Sequence, residues 1–184
     1  MTEGADGTRR ARARMTGAVY LGYFLTAVLA QVLARRKLVG FGEALNVIAN
    51  ALYIVLTLLL YFMFRPVNRT VSLLAALCSV AGCAIALLGV FHLAPRHLSP
   101  LWFFGPYCLL IGILIIRSTF LPRVIGWLMA AAGLGWMAYL SPQVARHFAL
   151  YVEVVGIVAE ASLMVWLLVK GVDEVRWAAQ AGTG

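Results

Sequence analysis

Charge is what this sequence lacks most. Only 12% of its 184 residues are Asp, Glu, Lys or Arg, where a soluble domain is nearer a quarter. Seven are acidic, and the two aspartates, Asp6 and Asp173, lie outside the apolar runs. There is no P-loop, no GxSxG, no HExxH and no dinucleotide fingerprint. These absences argue against an ordinary membrane hydrolase or NTPase and lean against an enzyme. Cysteine is scarce too. Cys78, Cys83 and Cys108 all sit in apolar stretches without a CxxC pair, and they read as small packing residues. Strict polar/apolar alternation is missing as well, which argues against a membrane β-barrel.

What the chain has is apolar length. Hydrophobic residues make up 63% of it, in runs approaching the ~18–20 residues that span a bilayer as a helix. Backbone polar groups in hydrocarbon need internal partners, so the spans should be helices. The expected fold is all-α: a polytopic membrane protein of six transmembrane helices in antiparallel hairpins. The spans are placed at 16–34, 43–64, 71–94, 101–116, 124–140 and 148–169, the fourth and fifth being brief. Residues 1–14 read as a disordered basic tail, retained although their four arginines imitate the start of a signal peptide. Residues 15–171 form the membrane domain, and 172–184 a short C-terminal tail.

The net charge of +8 resides in tails and loops, where membrane topology puts it, so no nucleic-acid partner is expected. Placing both termini in the cytoplasm puts Arg9, Arg10, Arg12, Arg14, Arg65, Arg69, Arg117, Arg123, Lys170 and Arg176 inside. Arg35, Arg36, Lys37, Arg96 and Arg146 are then outside. Ten against five favours that orientation, with "RRK" at 35–37 as the counter-signal.

The stretch "RSTFLPRVIG" at 117–126 reads as an inside turn. Pro122 suits the start of the fifth helix, and Ser118 and Thr119 can satisfy loose backbone groups. Arg117 and Arg123 snorkel to lipid headgroups or, more sharply, cradle a phosphate of lipid or ligand. This phrase, with "AEASLMVWLLVKGV" further on, resembles the bacterial membrane family known as domain of unknown function 4386. The resemblance is carried by Arg117, Ser118, Phe120, Leu121, Pro122, Arg123 and Gly126, and then by Glu160, Ser162, Leu163, Trp166, Leu167, Leu168, Lys170 and Gly171. It covers the C-terminal half. It implies a multi-pass helical protein of the bacterial inner membrane and supplies no activity.

Polar residues inside the spans are the site candidates, because they are costly there. Glu43, Asn46, Asn50, Tyr53, Thr57 and Tyr61 recur every three or four residues, on one face of the second span. That face must pack against protein through interhelical hydrogen bonds or line a wet cavity. In the sixth span Glu153 and Glu160 flank Gly156 on one face. Glu160, near mid-span, is the best single candidate: a neutral structural carboxyl, a proton or cation carrier, or a ligand group. The third span shows small residues, Ser72, Ala75, Ser79, Gly82, Ala86 and Gly89, spaced for close packing. His92, His97 and His147 fall on the outer side with Glu43 and Glu153. These are metal-ligand types, but without a zinc or haem spacing, and no cofactor is expected.

These features point to a protein that binds a lipid or small amphipathic molecule in a cavity lined by spans two and six. The alternatives are a proton- or cation-coupled transporter subunit using Glu160, a membrane enzyme or metal/haem protein using the outer histidines, and a structural subunit of a larger complex. The expected partners are the bilayer, a lipid or small hydrophobic ligand, and another membrane protein or a second copy.

Overall fold

The computed structural model describes residues 3–95, 98–140 and 142–182, without the side chains of 3–11, 142–146 and 149. The chain is all-helical, with seven α-helices and no strand among the described residues: α1 (Glu3–Arg35), α2 (Val39–Phe64), α3 (Arg69–Val90), α4 (Leu101–Arg117), α5 (Arg123–Met137), α6 (Pro142–Val169) and α7 (Glu174–Gly182). A 3-10 turn, Ala138–Leu140, extends α5. Five stretches are long and apolar enough to cross a membrane: Arg12–Arg35, Val39–Phe64, Arg69–Val90, Arg123–Leu140 and Leu150–Val169. The apolar α4 is shorter than these.

Helix extends into both tails. α1 begins at Glu3, within the basic segment 1–14. Its alternating Ala and Arg are good helix formers, and the segment extends an existing helix without needing a new nucleus. The short C-terminal tail contains α7.

Local signals explain the boundaries. Lys37 and His92 adopt left-handed backbone (φ 62° and 57°) and reverse the chain after α1 and α3. Asn68 caps α3, its side chain accepting from the Val71 amide at 2.9 Å. Pro122 is the N-cap of α5, and the Ser118 hydroxyl donates to the Ile115 carbonyl at 2.8 Å.

Each of the six long helices packs on the next in chain order, and α6 packs back on α1, closing a ring. The near end of this ring holds α7 and the α2–α3 and α4–α5 connections. The far end holds the α1–α2, α3–α4 and α5–α6 connections. Large apolar side chains face outward on α1, α2, α3, α5 and α6, among them Leu25, Phe41, Leu77, Val124 and Leu150, as lipid contact requires. The interior is more polar and buries Thr16, Thr57, Ser72, Ser79, Ser118 and Glu160.

Glycine decides the tightest seam. A Cβ on Gly133 would collide with the Leu109 backbone, and one on Gly112 with that of Ala130. Gly105 and Gly126 face the same seam from the two helices, so α4 and α5 meet backbone to backbone. Gly17 performs this role at the ring closure, against Leu167 and Leu168 of α6.

Candidate functional site

The near half of the ring interior is filled. Leu56, Leu60, Phe64, Leu114, Ile115, Met129, Leu163 and Leu167 are all buried there. Phe120 turns inward from the α4–α5 connection and stacks on Phe64, with ring centroids 5.9 Å apart. The far half holds a partly open cavity of about 700 Å³, within the range of small-molecule sites.

The cavity is built from the faces that the ring turns inward. From α2 come Asn46, Asn50 and Tyr53; from α1, Tyr23 and, toward the far end, Gln31 and Arg35. From α3 come Ser79, Gly82 and Cys83, and from α4, Leu101 and Phe104. Trp136 of α5 and Gly156 and Glu160 of α6 complete the wall. Most of its lining is apolar. Arg35 and Glu160 are its charged members, and they lie at opposite ends. Arg35 is exposed at the far end. Glu160 is 6% exposed and about ten residues, roughly 15 Å, from either end of its span.

Aromatic rings frame the deep part. Tyr23 and Tyr53 have centroids 4.6 Å apart, Tyr53 and Phe104 6.0 Å, and Phe104 and Trp136 5.5 Å. Tyr107 packs behind them, 5.8 Å from both Tyr53 and Phe104. Tyr20, fully buried, lies beside Glu160 on the α1 side. Three buried polar atoms in this region have no hydrogen bond of good geometry among the described residues: the hydroxyls of Tyr20 and Tyr53 and the indole nitrogen of Trp136. Gly156 makes room for that indole, since a Cβ there would come within 2.8 Å of Trp136 Nε1.

The sequence candidates divide on this geometry. Asn46, Asn50, Tyr53 and Glu160 meet at the one cavity. The Asn50 side chain also donates to the Asn46 carbonyl at 2.9 Å. Thr57, one turn deeper, is used in packing: its hydroxyl bonds the buried Ser79 hydroxyl and donates to the Tyr53 carbonyl. Glu153 does not join Glu160. It is exposed near the far end, within 3.4 Å of the Tyr139 hydroxyl. His92 approaches Glu43 at 3.8 Å, His147 is exposed on α6, and His97 lies outside the described residues. No group of three His, Cys, Asp or Glu comes together among the described residues. Arg117 and Arg123 are both exposed at the near-end turn. The Arg117 carbonyl accepts from the Gln180 side chain of α7 at 3.3 Å.

Sequence reading missed Tyr20, Tyr23, Tyr107 and Trp136 as members of one aromatic group. A boundary ring and a buried ring look alike in the sequence of a span. The Gly105/Gly112 and Gly126/Gly133 pairs, each seven apart, were a legible signal for the seam beside them.

An apolar exterior and several helices long enough to cross a bilayer define a multi-pass membrane protein with a cavity between its helices. Residues 96–171, covering α4 to α6, match the family model described as "Domain of unknown function (DUF4386)", as the two sequence phrases imply. An "Uncharacterized protein" of Archaeoglobus fulgidus is 27% identical over 123 residues, covering 61% of this chain and 72% of that protein. No solved structure matches the chain.

Proposed function

We propose that this protein binds a lipid or small amphipathic molecule in the cavity between its helices. In this reading all six long helices cross the membrane as antiparallel hairpins, and both termini are cytoplasmic. The membrane is the plasma membrane of a prokaryotic cell, the bacterial inner membrane in the resemblance. The observation that carries the reading is the cavity itself: about 700 Å³, apolar along its walls, with a buried carboxyl and an unpartnered tyrosine hydroxyl in its deep part. An apolar cavity with a few convergent polar groups is the usual form of a ligand site. Unmade hydrogen bonds there each cost about 1–3 kcal/mol, which a ligand can recover.

Transport coupled to Glu160 is the second reading, favoured by the depth of that carboxyl. The packed near half counts against it, since alternating access needs an opening on that side. Metal or haem chemistry has weaker support, because the outer histidines do not converge with other ligands among the described residues. Arg117 and Arg123 are assigned to lipid headgroups at the near-end boundary.

The test is native mass spectrometry with solvent extraction of the purified protein. Ala86 lines the cavity, and Ala86→Trp should fill it. A small molecule that co-purifies with the wild type and is lost from a folded Ala86→Trp protein supports the proposal. Equal retention by both proteins contradicts it.

A further inference from the structure

We infer that the cavity accepts an organic cation, an ammonium group carried on a compact apolar body. The inference rests on the reading of the cavity as a ligand site and names the ligand class. It follows from what surrounds Glu160. Among the described residues, the side chains that interact with this carboxyl are Tyr20 and Tyr23 of α1, Tyr53 of α2, and Tyr107 and Cys108 of α4. None of them is basic. Among the described residues, the cation in the cavity wall is Arg35, which lies twelve residues along α1 from Tyr23, about 18 Å away. Glu160 therefore has a cavity, aromatic neighbours and no counter-ion among the described residues.

Each component of this site selects for the same chemistry. A carboxylate at mid-membrane depth is strongly disfavoured unless a positive charge accompanies it. The rings of Tyr23, Tyr53, Phe104 and Trp136 line the same cavity, and aromatic faces attract desolvated ammonium groups. The Tyr53 residue is only 5% exposed, and its hydroxyl oxygen can turn a lone pair toward a bound ammonium group. The indole N–H of Trp136 can only donate, which suits an ether or hydroxyl oxygen elsewhere on the ligand. An anionic ligand would bring like charge to Glu160. The amine of a membrane phospholipid belongs at headgroup level, about 15 Å above this carboxyl. The ligand is therefore a free lipophilic amine rather than a bilayer phospholipid.

The experiment compares two probes of one shape on the full chain in nanodiscs: benzyltrimethylammonium and its neutral carbon isostere, neopentylbenzene. Binding is read from the change in intrinsic fluorescence, to which Trp136 contributes, and from thermal stabilisation. The cation should bind about tenfold or more tightly than the isostere. Glu160→Gln should erase that preference while leaving the isostere's affinity unchanged. Should Glu160→Gln fail to fold, Phe104→Leu, which removes one ring and keeps an apolar side chain, should shrink the preference severalfold. Equal or tighter binding of the neutral isostere overturns the cation assignment and leaves the cavity a ligand site. An undiminished preference in folded Glu160→Gln, or in folded Phe104→Leu, also overturns it. Binding of neither probe, with no effect of Ala86→Trp on co-purifying material, removes both readings.

Discussion

Gly133 and Gly89 show how differently two glycines in helices of one bundle can behave. At Gly133 there is no space for a Cβ against the Leu109 backbone, whereas nothing stands within 4 Å of a Cβ at Gly89. Gly133→Ala should therefore destabilise the protein by about 2–3 kcal/mol as α4 and α5 are forced apart. Gly89→Ala should be neutral or stabilising by up to about 1 kcal/mol, because alanine loses less backbone freedom on entering a helix. Thermal unfolding in one detergent compares them, and equal effects would contradict the seam. Thr57→Val makes a third comparison. It keeps the side chain's shape and removes the hydroxyl that holds Ser79, for an expected cost of about 0.6–2 kcal/mol. At this scale sequence reading was uneven. The Asn46–Asn50–Tyr53 stripe was legible because a polar face on an apolar helix has to be buried somewhere. Glu153 and Glu160 looked equivalent because spacing fixes a helix face but not what the neighbouring helix presents at each depth.

Among the elements, α7 is the one the sequence hid. Its nine residues follow a glycine with left-handed backbone, Gly171 (φ 71°), and turn back under the near end. There Trp177 donates its indole N–H to the Met63 carbonyl at 2.9 Å, and the Gln180 side-chain oxygen accepts from the Thr119 amide at 3.1 Å. One short helix thus ties the end of α2 to the α4–α5 connection. Its sequence reads as a short tail because its partners are backbone groups far away in the chain, which leave no pattern in α7 itself. Trp177→Ala should release it. Hydrogen exchange of the 118–122 turn is then expected to speed up, while the deep residues of α2 and α6 keep their protection. Unchanged exchange at the turn would show that α7 does not hold it. The six long helices, by contrast, were legible from apolar length, although α2 begins four residues earlier and α3 ends four earlier than expected. Helix ends depend on caps and chain reversals such as those at Lys37 and His92, which have weak residue signatures.

For the molecule as a whole, the basic residues give the first test. Arg65, Arg69, Arg117, Arg123, Lys170 and Arg176 gather at the near end with α7. A cysteine placed at exposed Arg123 should react with an impermeant maleimide only after cells are opened, and one at exposed Leu93 should react in intact cells. The reverse pattern would invert the orientation. The ring's unequal helix lengths have a separate consequence, for the lipid around it. The two shortest long helices, α4 and α5, are seamed together, and seventeen residues of helix reach only about 25 Å. On another flank α2 has 26 residues and reaches about 39 Å. A bilayer with a hydrocarbon core near 30 Å must pinch beside the first flank and either thicken or let α2 tilt beside the second. Reconstitution in lipids with short acyl chains should therefore raise the unfolding temperature relative to long-chain lipids, and the opposite trend would contradict this mismatch. The pinch also gives the molecule a lateral direction in the plane of the membrane. Two copies meeting along α4 and α5 would share one collar of thinned lipid instead of maintaining two, so membrane elasticity alone would orient their encounter.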